Sequence, residues 1–101
     1  MDYSSVKWKK KRKRILKLDK YLCQVSLWYG KREAANTVHH IYPVKDYPEY
    51  AWCDWNLISV SQAGHNKLEN RTTGELTPLG KSLMHRTKPF VDWRKKEYAT
   101  S

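Results

Sequence analysis

The strongest structural signal in this chain is the stretch Thr37-Val38-His39-His40-Ile41-Tyr42, followed by Asn56-Leu57-Ile58-Ser59-Val60. Both stretches are rich in β-branched and aromatic residues, which favour strands. Ser61 is a residue type that caps helices, so we expect a helix over 62–70. This order predicts an antiparallel hairpin packed on one helix.

The three histidines in and after this hairpin, His39, His40 and His65, are the candidate functional residues. Adjacent side chains on a strand point to opposite faces, so His39 and His40 should have different tasks. Phosphodiester hydrolysis needs an activated water, charge stabilisation on the phosphate and help for the leaving oxygen. A divalent ion supplies the last two, and a neutral imidazole with a pKa of about 6.5 suits the first. A pair of adjacent histidines alone would more often be structural, and only the asparagine and the third histidine make the pattern specific.

The flanks of this unit are basic. Twenty Lys and Arg residues against ten Asp and Glu residues give the 101-residue chain a formal net charge of +10, which predicts attraction to a polyanion. Seven of the eight residues over 7–14 are basic, and the apolar spacing that follows predicts a helix at roughly 8–21. The alternative is a solvated arm that only aids solubility. The tail is basic again over 94–96, and nucleic acid is the expected partner. An anionic membrane is disfavoured because the chain has no long apolar run or lipidation signal.

The remaining segments carry weaker local signals. We expect an irregular or extended piece at 23–30 and a helical turn at 32–36. The loop at 44–55 should contain a short turn of helix held by aromatic burial. A turn at 72–75 and a loop with a short helix at 76–84 complete the pattern.

The length predicts one domain with one modest core. Cys23 and Cys53 are its two cysteines. No secretory signal is visible, so we expect reduced thiols in a cytoplasm, packed as small apolar side chains.

Taken together, Val38-His39-His40-Ile41-Tyr42-Pro43, the stretch from Asn56 to Val60, and His65-Asn66-Lys67 resemble the HNH endonuclease family, in particular its small phage-type members. The resemblance implies an α+β fold with a ββα-metal (His-Me finger) core and flanking helices. It also implies one catalytic Mg²⁺ or Mn²⁺ ion and hydrolysis of DNA. The implied division of the chain is a basic N-terminal arm or helix at 1–20, the nuclease core at 21–71 and a basic C-terminal extension at 72–101 that packs on the core.

The resemblance also assigns roles to the residues of the motif. It makes His39 and His65 metal ligands and His40 the general base. Asn56 would hold the loop between the strands and so orient the base. Glu69 is a candidate further ligand, the alternative being an ordinary exposed glutamate. DNA contacts are expected from Lys67 and Arg71 beside the motif and from Lys9, Lys10, Lys11, Arg12, Lys13 and Arg14 in the arm.

The chain departs from many relatives, which hold a structural zinc in two Cys-x-x-Cys pairs. The matching positions here are Cys23-Gln24-Val25-Ser26 and Ser61-Gln62-Ala63-Gly64, so three of the four thiolates are missing. Structural zinc normally needs four protein ligands. We therefore expect no structural zinc, and we expect the N-terminal helix and the aromatic loop at 47–55 to stabilise the fold by packing.

The sequence thus predicts a metal-dependent endonuclease that nicks or cuts DNA with weak sequence specificity. The expected setting is phage DNA processing or packaging in the bacterial cytoplasm, with packaging proteins as candidate partners. One alternative is a DNA-binding accessory protein with little or no nuclease activity that acts through a partner. Another is a zinc-binding transcription factor or ribosome-associated module, which the lack of paired cysteines disfavours. The sequence leaves the oligomeric state open.

Overall fold

The computed structural model describes residues 1–95, so Lys96 and the rest of the C-terminal extension lie outside the described residues. Over the described part the chain forms helices and a two-stranded sheet. The helices are α1 (Val6–Leu18), α2 (Gln24–Trp28), α3 (Gln62–Leu68) and α4 (Pro78–Arg86), and the strands are β1 (Thr37–His40) and β2 (Leu57–Val60). Two short 3-10 helices, Pro48–Tyr50 and Asp54–Asn56, lie between the strands. No helix in this part of the chain is long and apolar enough to cross a membrane.

The sheet is an antiparallel pair that lies between α1 and α3. His39 is the partner of Ile58 and His40 is the partner of Leu57. The side chain of His40 lies against α1 and that of His39 lies against α3. All four residues of β2 are buried because helices cover both faces of the sheet. The predicted hairpin with a helix against it is confirmed.

Helix α1 begins two residues earlier than the apolar spacing predicts, because Ser5 caps it. The Ser5 hydroxyl accepts a hydrogen bond from the Trp8 backbone N–H at 3.1 Å. The helix ends at Leu18 because the chain turns at Lys20 and Tyr21, where φ is positive (56° and 57°). The cap predicted for α3 is confirmed, because the Ser61 hydroxyl accepts from the Gly64 N–H at 3.0 Å.

An ion pair between Asp19 and Arg94 fixes the end of α1 to the rest of the molecule. The Asp19 carboxylate is almost fully buried and accepts from Arg94 Nε at 2.6 Å and Nη2 at 3.0 Å. It also accepts from the backbone N–H of Ser59 in β2. Arg94 is therefore a structural residue. Its guanidinium faces the protein, which corrects the expectation that Arg94, as part of the basic tail, helps to attract DNA.

Two local predictions are wrong. Residues 24–28, expected to be irregular, form α2, a helix of five residues that is too short to show an amphipathic period. Residues 32–36, expected to form a helical turn, are not helical. There Ala34 forms an antiparallel bridge with Leu22, so this segment pairs with the chain before α2.

Aromatic packing holds the long connection between the strands, as predicted. Tyr42, Tyr50 and Trp55 contact one another edge to face, with ring centroids 4.8–5.8 Å apart. At the position of the missing thiolates, Cys23 is fully buried and the Ser61 hydroxyl donates to its Sγ at 3.4 Å. Cys53 is half-buried.

Candidate active site

A cleft of about 420 Å³ opens beside β1 and is the setting of the candidate site. The strand contributes His39 and His40 to its wall. Other walls come from the beginning of the chain, from α1 and from the end of α3. The side chains that line the cleft include Tyr3, Trp8, Arg12, His39, His40, His65 and Glu69.

Three potential metal ligands meet in this cleft. His39, His65 and Glu69 each offer one ligand atom, and these atoms all lie within 4.8 Å of one another. The Glu69 carboxylate lies 3.5 Å from His65 Nε2. Glu69 is the C-terminal cap of α3, and its N–H bonds to the His65 carbonyl, so its side chain lies one turn beyond His65 on the same face.

The environment of His39 fits a metal ligand. The residue is 2% exposed, and its Nε2 has no hydrogen-bond partner among the described residues. Burial, with smaller contributions from His65 and His40, lowers the pKa of His39 to about 3. The ring is therefore neutral and keeps a lone pair to donate. Because a buried polar atom without a partner costs about 1–3 kcal/mol, a bound cation would relieve a cost that the fold otherwise carries.

His40 has a different environment, as its opposite direction on the strand requires. Its Nε2 lies 3.0 Å from the backbone oxygen of Ala51. A carbonyl oxygen only accepts, so Nε2 carries the hydrogen and Nδ1 of the neutral ring keeps the lone pair. Burial lowers the pKa of His40, although the bond to Ala51 opposes this shift. The ring is therefore a neutral base with a defined tautomer.

Asn56 acts on the loop rather than in the cleft. It is fully buried, and its Nδ2 donates to the backbone oxygens of Tyr42 and Tyr50, both at 3.1 Å. Its Oδ1 accepts from the Tyr42 N–H at 2.7 Å. These bonds join the chain just after β1 to the loop that carries Ala51, the partner of His40.

The basic residues predicted to bind DNA divide into several groups. Arg12 is exposed and lines the cleft. Arg71 lines an adjoining depression together with His65 and Glu69. Two cations of α1 pair with Asp54: Lys11 Nζ at 2.5 Å and Arg14 Nη2 at 2.8 Å. Lys9, Lys10 and Lys13 are exposed on α1.

Lys67 does not lie with the histidines. Two residues along a helix correspond to about 200° of rotation, so Lys67 points away from the face that carries His65. Its Nζ lies 4.5 Å from the ring centroid of Tyr29. The ammonium of Lys67 therefore lies on a different face of α3 from His65, and its expected contact with DNA remains a prediction.

The cleft also contains an aromatic residue that sequence reasoning did not assign to the site. Trp8 lies on the wall of the cleft, and its ring stacks on His40. A signal was present in the sequence, because Trp8 is the one apolar residue of the basic run and lies seven and eight residues before the buried Ile15 and Leu16. That spacing places all three on one helical face.

Among solved structures, the chain is similar to the HNH endonuclease of the deep-sea thermophilic bacteriophage GVE2, whose crystal structure was determined with manganese ion. The two are 38% identical, with a TM-score of 0.60, over 63% of this chain and 70% of that one. This chain belongs to the HNH endonuclease family. It is an endonuclease, and the α+β fold expected of the family is confirmed. No family model and no curated protein matches the chain.

In this HNH endonuclease the ββα unit runs from β1 through β2 to α3. The unit supplies the histidines of the cleft, and the cap residue of α3 supplies the carboxylate. Helix α1 precedes the unit in the chain, yet it contributes Trp8 and Arg12 to the same cleft. The segment before the family motif is therefore part of the candidate site.

Proposed function

We propose that this endonuclease hydrolyses phosphodiester bonds of DNA, using one divalent metal ion held by His39 and His65 and using His40 as the general base. The convergence of His39, His65 and Glu69 on one point carries this proposal. A cluster of three potential ligands, one of them a buried imidazole with an unpartnered nitrogen, is chemically suited to a cation.

The donor set indicates which ions fit. Imidazole suits first-row transition ions, and a carboxylate suits Mg²⁺ and Mn²⁺. Two imidazoles with Glu69 therefore suit Mn²⁺ well and accept Mg²⁺. The manganese in the structure of the GVE2 enzyme supports this choice. When bound, the ion would stabilise charge on the phosphate and on the leaving oxygen.

The residues of the chain supply the proton transfer. His40 presents Nδ1 as the base that takes a proton from water, because the Ala51 carbonyl keeps the hydrogen on Nε2. Asn56 keeps that carbonyl in place through its bonds to Tyr42 and Tyr50. In-line attack by the activated water would leave a 5′ phosphate and a 3′ hydroxyl.

Charge supports DNA as the substrate. The net charge of +10 attracts a polyanion. Arg12 in the cleft and Arg71 beside it can contact phosphates next to the scissile bond, and the exposed lysines of α1 extend this surface. Contacts of this kind read the backbone and not the bases, so we propose weak sequence specificity.

The biological setting is part of the same proposal. The phage origin of the GVE2 enzyme supports a role in phage DNA processing or packaging, in the cytoplasm of a bacterial cell and with packaging proteins as partners. We place the nuclease unit at 21–71, flanked by the basic arm at 1–20 and the extension at 72–101. A monomer would nick one strand, and double-strand cleavage would need two copies or two events.

Nicking of a supercoiled plasmid tests the proposal. Wild type should nick with Mn²⁺ or Mg²⁺ and not with EDTA. His39→Ala should lose cleavage while it still binds DNA in a gel shift. His85→Ala is the matched control because His85 is exposed on α4 and lies outside the cleft. If wild type binds DNA strongly but cleaves it with neither Mn²⁺ nor Mg²⁺, the protein is instead a DNA-binding accessory protein.

A further inference from the structure

The imidazole of His40 is stacked on the indole of Trp8. The two ring centroids lie 5.3 Å apart and the ring planes differ by 20°. Trp8 is 4% exposed, so the contact is shielded from solvent. Other rings in the cleft meet at steeper angles, for example Tyr3 with His40 at 61° and 6.2 Å.

The stack fixes the orientation of the His40 ring plane, which the hydrogen bond of His40 leaves free. The bond from Nε2 to the Ala51 oxygen holds one corner of the ring. The ring can still rotate about that direction, and such a rotation moves Nδ1. A nearly parallel indole restricts the rotation, because tilting the imidazole would push its edge into the indole face. Since the lone pair of Nδ1 lies in the ring plane, fixing the plane also fixes the direction from which a proton can be taken.

Trp8 is itself held on several sides. Its backbone N–H is bonded to the Ser5 cap at 3.1 Å, which sets its place in the first turn of α1. The ring of Trp52 contacts it edge to face at 5.9 Å, and Tyr3 does so at 5.4 Å. A side chain held in this way can hold a neighbour, whereas a mobile one could not.

We propose that Trp8 is a positioning residue for the reaction: it stacks on His40 and fixes the plane of the base, so that Nδ1 points into the cleft. The inference rests on the proposed role of His40 as the base. It extends the active machinery to α1, outside the segment that resembles the family motif. The basic run around Trp8 would then have two functions, since its lysines face DNA while its tryptophan orients the base.

Three variants test this proposal by single-turnover cleavage at saturating enzyme. Trp8→Leu keeps an apolar side chain but removes the ring, and Trp8→Phe keeps a ring. Trp93→Leu is the matched control, because Trp93 also packs on the core but lies outside the cleft.

We expect Trp8→Leu to lower the cleavage rate roughly tenfold to a hundredfold, within the range that a misplaced base costs. Trp8→Phe should stay within about threefold of wild type, since its ring can still stack. DNA affinity should be similar in all three.

A spectroscopic measurement separates positioning from general destabilisation. An imidazole stacked over an indole has its ring protons shifted upfield in the NMR spectrum. The His40 ring protons should show this shift in wild type and in Trp93→Leu and lose it in Trp8→Leu. Should Trp8→Leu fail to fold, Trp8→Met replaces it, with the same expectations.

The outcomes distinguish this inference from the proposed function. If Trp8→Leu cuts as fast as Trp93→Leu, or if the His40 shift survives in Trp8→Leu, the positioning role is wrong while His40 can still be the base. If His40→Ala cuts at the wild-type rate, the proposed function itself is wrong about the base, and the inference is overturned with it.

Discussion

The imidazole of His39 in β1 lies beside that of His65 in α3, with ring centroids 5.2 Å apart and planes inclined by 59°. Two protonated rings at this separation would repel each other, whereas two neutral rings can direct lone pairs at one point. The low pKa of His39, caused chiefly by burial, keeps the first of them neutral. Two elements distant in sequence therefore meet at one candidate cation site.

Metal binding should depend on these residues directly. We expect His39→Ala to weaken Mn²⁺ binding at least a hundredfold, because even the outer partners of metal ligands are worth roughly 10–100-fold. Glu69→Gln should weaken Mn²⁺ binding less, since the amide oxygen can still coordinate the ion. Isothermal titration of the protein with Mn²⁺ measures both effects. Wild-type affinity in His39→Ala would remove His39 from the ligand set.

Asn56 should be required for stability as well as for the site. Asn56→Ala leaves the backbone groups of Tyr42 and Tyr50 without their buried partner. We expect the free energy of unfolding to fall by about 3 kcal/mol, measured by urea titration. Asn66→Ala is the control, because the bond of Asn66 to Gln62 is exposed, and it should change the stability by less than about 0.5 kcal/mol. Equal effects of the two substitutions would contradict the assigned role of Asn56.

The pH dependence of stability should report the cluster around Asp54. Burial raises the pKa of Asp54, but the hydrogen bonds and charges of Arg14 and Lys11 outweigh it and lower the pKa from 3.8 to about 2. The folded state therefore binds fewer protons than the unfolded state between these values. The stabilisation is fully present above pH 3.8 and is lost as the pH falls towards 2.

Asp54→Asn gives the measurement of this effect. Urea unfolding should show wild type more stable than Asp54→Asn by about 1 kcal/mol at pH 7, allowing for solvent screening of a partly exposed cluster. The difference should shrink as the pH falls towards 2. Asp46→Asn, which removes an exposed acidic side chain, is the control for the loss of one negative charge. A difference for Asp54→Asn that is constant down to pH 2 would contradict the ion-pair account.

The basic residues should differ in their effect on DNA. Arg12→Ala removes a guanidinium from the cleft, whereas Lys67→Ala removes an ammonium from the far face of α3. Both should weaken equilibrium binding at low salt, because both reduce the positive charge. Only Arg12→Ala should also slow single-turnover cleavage at saturating enzyme. If Lys67→Ala slows that step and Arg12→Ala does not, the placement of the substrate is wrong.

The sequence predicted much of the ββα unit because its signals are local. β-Branched runs predicted β1 and β2, and the serine at position 61 predicted the start of α3. The close approach of His39 and His65 then followed from the family resemblance. Helix α2 was missed because five residues do not display a helical period.

Long-range contacts explain the other differences. Arg94 reads as one cation in a basic tail, and only the fold brings it to Asp19, 75 residues earlier. Lys67 is only two residues from His65 in sequence, but that nearness does not place the two side chains on one helical face. The spacing of Trp8 with Ile15 and Leu16 places it on their face of α1, but nothing local indicates that this face packs against β1.

The most direct test of the account is cleavage by His40→Ala. We expect this variant to fold, to bind Mn²⁺ through His39 and His65 and to bind DNA as wild type does. Its single-turnover cleavage should fall by roughly 10²–10⁴-fold, the usual contribution of a general base, while His85→Ala keeps the wild-type rate. Cleavage by His40→Ala at the wild-type rate would contradict the account.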